Sequence, residues 1–201
     1  MQKPAVSSVS LTPLIEQRWS PVAFSARPIP PETLAALFEA ARWAPSSYNE
    51  QPWVFCVATQ DQPTEFQALL GCLMEANQVW AKHAYCLVLS CAQLNYARNQ
   101  KPNRHAGHDV GLATQNLLLQ ATAAGLISHP MGGFDVDKAR AALNIPATHE
   151  PMAAIAIGYP PADLKSFSDD LQQRDLGARV RKPLTDMVFT GQWGKYAGPF
   201  A

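Results

Sequence analysis

Between Pro31 and Ala41 the apolar residues Leu34, Leu37, Phe38 and Ala41 recur at helical spacing. That predicts an amphipathic helix opened by Pro31 and closed by Pro45. "WVFCVAT" (53–59) is a continuous apolar run rich in aromatic and β-branched residues and predicts a strand, as does "AYCLVLS" (84–90). A modest helix is expected between them, near Thr64 to Leu73. Residues 92–106, "AQLNYARNQKPNRHA", are polar and predict a mobile loop. A long helix follows over Gly107 to Ala124, stopped by Gly125. Then come a short segment "LISHPMGGF", a helix near Val136 to Leu143 and a strand "MAAIAIGY" (152–159). At the ends, Thr12 and Pro13 suit the N-cap and first turn of a short helix to Arg18, and a turn of helix is expected near Leu184 to Val188.

Helices and strands are mixed without regular alternation, which favours an α+β domain over a doubly wound sheet. The helix 107–124, "VGLATQNLLLQATAAGL" within it, is apolar on almost every side. A helix of that kind is buried all round, and in a chain of 201 residues this predicts a neighbour from a second subunit. The low charged fraction, 16%, leans the same way. The length suits one domain, 1–201, with a 1–12 extension and a polar, proline-bearing arm from 160 to 201. Formal net charge is zero, which argues against nucleic acid as the main partner and leaves no polybasic segment for a membrane surface. Cys56, Cys72, Cys86 and Cys91 form no C-x-x-C pair, and three of them fall in apolar runs where free cysteine acts as a small hydrophobe. With no apolar leader or spanning segment, a reducing cytoplasm is the expected location.

No phosphate-binding glycine loop, dinucleotide fingerprint, nucleophile elbow or zinc-protease motif is present. His105 and His108 lack a third ligand, so no metal site is expected. Asp109 suits the first turn of its helix, where the dipole favours an acid. Four short segments remain: "RWS" (18–20), "SSYNEQ" (46–51), "HPMGGF" (129–134) and "RVRK" (179–182). Guanidinium forks and hydroxyls suit a phosphate, and Asn and Gln suit the edge of a heterocycle. Two adjacent glycines let backbone N–H groups approach a ligand. Each segment also has a local explanation in helix ends, self-capping turns or solvated charge. Together they describe a site for a planar polar ligand carrying a phosphate.

The chain resembles the flavin-dependent nitroreductase family. The likeness rests on "RWSPVAF" (18–24), "AARWAPSSYNEQPWVFCV" (40–57), "VWAKHAYCLVLSCA" (79–92), "DVGLATQNLLLQATAAGL" (109–126), "HPMGGFD" (129–135) and "RKPLTDMV" with "GQW" (181–193). The resemblance implies a nitroreductase-like α+β fold with a central antiparallel sheet flanked by helices. It also implies an intertwined homodimer whose C-terminal arms exchange, with FMN at the interface. On that pattern Arg18, Trp19 and Ser20 contact the flavin's ribityl-phosphate and pyrimidine side, and Arg179 and Arg181 grip the phosphate. Pro45, Ser46, Ser47, Asn49 and Gln51 reach in from the partner. Pro130, Met131, Gly132 and Gly133 lie against the isoalloxazine. The implied activity is hydride transfer from NADH or NADPH through flavin N5 to nitroaromatic, quinone or related small oxidants. The alternatives are a specialised flavoenzyme acting on one metabolite and a non-catalytic flavin-binding protein. No side-chain nucleophile is needed, because the flavin carries the chemistry. The chain departs from the family at Val22, where many members have a basic residue, and at Gly132, where some have an acid. Tyr96, Arg98 and His105 are expected at the substrate rim.

Overall fold

The computed structural model describes residues 3–195, so the outermost two residues of the 1–12 extension and residues 196–201 of the arm lie outside it. The sheet is built from β1 (Trp53–Thr59), β2 (Cys86–Gln93), β3 (Ile127–Met131) and β4 (His149–Gly158), in the order β1-β2-β4-β3. Every neighbouring pair is antiparallel. β2 lies in the middle, and its run "CLVLSCA" is buried throughout, which is why it lacks a polar alternation.

Helices cover both faces. On one lie α2 (Pro31–Arg42) and α5 (Ala106–Ala123), packed through Leu37, Ala41, Ala113, Leu117 and Ala121 onto Val88, Ile155 and Ile157. On the other lie α3 (Pro63–Cys72) and α6 (Val136–Leu143), with Phe66, Leu69 and Ala139 against Leu87, Leu89, Ala154 and Ala156. The remaining helices are α1 (Pro13–Gln17), α4 (Glu75–Ala81) and α7 (Asp169–Leu176), with 3-10 turns at Ser47–Asn49 and Leu184–Asp186. The α+β class and the antiparallel sheet between helices are as expected.

Several elements differ in detail. β3 occupies the segment expected only as a connector, because Pro130 sits near the end of an outer strand, where a missing N–H is tolerated. α4 and α7 were not legible: α4 buries only Trp80 and Ala81, and α7 only Leu171 and Asp175. Residues 94–105 form a loop, as expected, with its base closed by backbone hydrogen bonds. Tyr96 N–H donates to Lys101 O (2.9 Å) and Asn103 N–H to Leu94 O (2.7 Å), and both Tyr96 and Asn103 are buried. Helix α5 is not buried all round within one chain, since His108, Gly111, Gln115 and Ala123 are exposed along one side. Gly125 ends it with a φ of +72°, as a left-handed stop requires.

Candidate active site

The N-terminal segment 18–23 and the C-terminal arm are laced together. Burial of Asp175 on α7 follows from its carboxylate accepting from the backbone N–H of Val22 (2.8 Å) and Ala23 (3.1 Å). A buried carboxylate persists only when such donors surround it. Burial raises its pKa, while the two backbone donors pull it down. Arg179 completes the lacing: its guanidinium donates to the carbonyls of Lys3 (2.6 Å), Glu16 (2.8 Å) and Arg18 (3.0 Å). The arm from 160 therefore folds back on its own chain as far as Arg179.

That lacing gathers positive charge. The Arg18 guanidinium is held below its ordinary pKa by burial first, and then by Arg179 and Arg181. Arg179 is lowered by burial and by Arg181. Among the described residues none of the three is in an ion pair. Arg18 Nη1 donates to Ser20 Oγ (3.3 Å), and Arg181 Nη1 reaches only the carbonyl of Val180 (2.8 Å). Arg179 is committed to carbonyls, so Arg18 and Arg181 are the guanidiniums with donors to spare. Like charges held together this way repel one another, and an anion such as a phosphate would relieve that repulsion.

Trp19, beside Arg18, separates two clefts of about 240 Å³ each. One is lined by Pro21, Ala23, Ile127 and Asp175, the other by Lys3, Arg18, Gly125 and Leu126. Each falls below the roughly 300–1,000 Å³ that encloses a drug-sized ligand. Val22 points into the core, with 2% of its surface exposed.

The segment 129–133 approaches from β3. His129 Nδ1–H donates to the Pro21 carbonyl (2.8 Å), and the ring packs on Trp80 with centroids 4.5 Å apart. Pro130 and Met131 pair with Ile155 and Ala154 of β4. Gly133 is pinned: its carbonyl accepts from Asn77 Nδ2 (2.9 Å), and a Cβ there would sit 2.5 Å from that nitrogen. Gly132 is exposed, and a Cβ on it would meet nothing within 4 Å, so the backbone there is open to a ligand.

Burial lowers the His129 pKa, the largest of the influences on it. The folded state therefore prefers neutral imidazole, whereas the unfolded chain takes up a proton near the ordinary value of about 6.5. Stability should accordingly fall as pH drops below about 6.5, because the unfolded state then binds more protons. His129→Asn keeps a donor toward Pro21 and removes this titration. Denaturant midpoints measured from pH 7.5 to 5 should decline less steeply in the variant; equal slopes would contradict the assignment.

The loop 46–51 lies elsewhere on the chain, at the N-terminus of α5. Ser47 N–H donates to the Asp109 carboxylate (3.0 Å), which is also 3.2 Å from His108 Nδ1. Tyr48, Asn49 and Gln51 all have φ near +50°, a left-handed conformation costing non-glycine residues about 1–2 kcal/mol each. Gln51 is tied back through Ser46 Oγ (3.0 Å) and Asn49 O (3.0 Å). Pro45 is exposed, and among the described residues the side chains of Ser47 and Asn49 have no hydrogen-bond partner. Strain held in place with unused polar groups is what a ligand-holding loop requires. Arg98 caps the loop, with its guanidinium 4.1 Å from the Tyr48 ring and 5.1 Å from that of Tyr96, and the Ala97 N–H donates to Glu50.

Thus the structure brings Arg18, Trp19, Ser20, Arg179 and Arg181 together. Among the described residues no hydrogen bond or ion pair joins them to loop 46–51 of the same chain. Asp175 and His129 were missed as positioning residues. Asp175 sits in a polar helix with no distinguishing pattern, and nothing in "SHPMGG" marks its histidine as structural.

Comparison with known proteins shows the family and the fold. The sequence pattern of the Nitroreductase family matches residues 15–159. An uncharacterized 15.4 kDa protein of Mycolicibacterium smegmatis is 36% identical over 129 residues, covering 64% of this chain and 84% of that protein. Protein DrgA of Synechocystis is 30% identical over 148 residues, covering 61% and 70%. Among solved structures, one described as an oxidoreductase containing FMN superposes with a TM-score of 0.87 at 35% identity, covering 95% of this chain and 96% of that one. A nitroreductase family protein of Streptococcus pneumoniae shares the fold, with a TM-score of 0.68 at 19% identity over 88% and 98% of the two chains. With the family pattern spanning most of its length and the fold matching throughout, this chain belongs to the nitroreductase family of oxidoreductases.

Proposed function

We propose that the protein binds FMN between two copies of the chain and passes reducing equivalents from NADH or NADPH to a small oxidant such as a quinone or nitroaromatic. The observation carrying this reading is the cluster of Arg18, Arg179 and Arg181, packed without an acidic partner beside Ser20 and Trp19. Arg18 and Arg181 would hold the phosphate, with Ser20 as a further donor, while Arg179 fixes the backbone of residue 18. Pro130, Met131 and the open backbone at Gly132 would line the ring system, and Gly133 fixes that segment. When bound, the flavin supplies reversible two-electron chemistry. The chain's own task is to orient it, shield one face and leave the other to substrates.

The two-copy arrangement is supported by the separation of loop 46–51 from the arginines, the small clefts at Trp19 and the open side of α5. Pro45, Ser46, Ser47, Asn49 and Gln51 would then complete the site across the interface. Among the described residues no helix is long and apolar enough to cross a membrane, and no group of three metal-binding side chains occurs. The second reading, flavin binding without turnover, rests on Val22: a site lacking a cation there stabilises reduced, anionic flavin less well. NAD(P)H oxidation with a panel of quinones and nitroaromatics separates the readings, because a binding protein would leave the nucleotide unoxidised.

The stacking of Arg98 on Tyr48 ties the rim to the flavin loop, so Arg98→Ala should lower kcat/KM by about three- to tenfold, the scale of one cation–π contact. The effect should be larger for oxidants bearing a carboxylate or sulfonate than for neutral ones. Unchanged kcat/KM across the panel would remove Arg98 from the rim.

A further inference from the structure

We propose that Cys56 is a site of reversible oxidation by hydroperoxides, assisted by Cys91, on the sheet face opposite α5. The strand register pairs Val54 with Cys91 and Cys56 with Leu89, which puts both cysteines on one face as diagonal neighbours. The two side chains are therefore neighbours across the strand pair. Both line a cavity of about 140 Å³ whose walls include Val54, Leu143, Ile145 and His149. That space holds a few water-sized molecules, enough for a small hydroperoxide.

The two thiols are not equivalent. Cys56, on the outer strand β1, is half-buried, whereas Cys91 on the central strand is 1% exposed. The neighbouring Cys91 thiol lowers the Cys56 pKa against the opposing effect of burial. Cys91 is itself raised, by Cys56 first and by burial after it. A thiolate favoured at neutral pH, partly accessible and beside a second thiol is the setting of oxidation-sensitive cysteines. The other two lack it. Cys86 is fully buried, with burial pushing its pKa up to about 12, and Cys72 is raised by burial and donates to Ala68 O (3.1 Å).

In the reaction the Cys56 thiolate attacks the distal peroxide oxygen. The S–O bond forms as the O–O bond breaks, so sulfur loses two electrons and the peroxide gains them. The displaced alkoxide takes up the proton of the transferred hydroxyl and leaves as an alcohol (as water when the oxidant is hydrogen peroxide), so that Cys56 remains as a sulfenate. Cys91 then donates its S–H to the new sulfenate. A small cellular thiol reverses the change, first condensing with the protonated sulfenic acid to a mixed disulfide with loss of water. A second thiol then frees Cys56 and departs as the small-molecule disulfide.

The test uses the full-length protein in air, without reductant, exposed to graded hydrogen peroxide at pH 7. A sulfenic-acid trap such as dimedone and peptide mass spectrometry then report each cysteine. The adduct should appear on Cys56 before Cys72 or Cys86, and prior treatment with a thiol should erase it. Cys91→Ala should slow alkylation of Cys56 at pH 7 by about fivefold or more, as thiolate content falls. Trapping of Cys56 no faster than that of Cys72 in the wild-type protein would overturn the proposal even where the variant fails to fold. A folded Cys91→Ala protein with unchanged Cys56 reactivity would overturn the role of Cys91.

Discussion

Arg18→Ala should weaken FMN binding by roughly ten- to a hundredfold, from the loss of a charge-assisted contact of about 1.5–3 kcal/mol. Arg18 is part-buried, unlike Arg181, has donors to spare, unlike Arg179, and already has its guanidinium directed at Ser20. Its burial removes competing water, which strengthens the interaction with an anion. Arg181→Ala should weaken FMN binding as well, but less, because Arg181 is exposed and, among the described residues, hydrogen-bonds only to a neighbouring carbonyl. Arg179→Ala should behave differently. It severs the ties to Lys3, Glu16 and Arg18, so the melting temperature should drop along with flavin retention. Fluorescence titration of the three variants reads both effects. Equal FMN affinity in wild type and Arg18→Ala would contradict a phosphate site at this cluster.

The largest loss of stability should come from Asp175→Ala, at about 2–5 kcal/mol. The substitution removes two hydrogen bonds to a buried carboxylate and leaves the Val22 and Ala23 N–H groups in the core without partners. Because only Pro21 separates those residues from Arg18, Trp19 and Ser20, loosening them should also release the arginine cluster. Asp175→Asn keeps an acceptor oxygen and should recover part of the loss. Urea denaturation of the two variants, followed by circular dichroism, measures the difference. A midpoint within error of wild type for Asp175→Ala would show that the arm does not hold the 18–23 segment.

What could be read from the sequence followed from how strongly each element is patterned. β1 and β2 were legible because an unbroken apolar run bounded by polar residues has few other uses. α2 was legible because its apolar face repeats over three turns. α7 was not, since its stabilisation comes from one leucine, one buried carboxylate and favourable charges at its ends, with Asp169 and Asp170 in the first turn and Arg174 in the last. Residues 94–105 form a loop, as their polar composition suggested, but the backbone hydrogen bonds that close it are ones any sequence can supply and so left no mark. The expectation for α5 was partly right. Its small and apolar residues do pack on the sheet, but one side stays open in a single chain.

The site shows the same division. Arginines, serines and side-chain amides advertise themselves by type. Their supports do not: Asp109 holding Ser47, Asp175 holding Val22 and His129 holding Pro21 join residues far apart in the chain. Residue types suited to a ligand were therefore legible, and the residues that hold them in place were not. Arg179 belongs to both groups, since its type suggested phosphate while its position makes it a strut for the backbone at Arg18.

The most direct test is the visible spectrum of the purified protein, loaded with FMN if needed, before and after anaerobic NADH or NADPH. The account predicts a bound flavin, with its absorption band near the visible blue region, that bleaches with at least one nucleotide and recovers when a quinone is added. A colourless protein that takes up no FMN would contradict it.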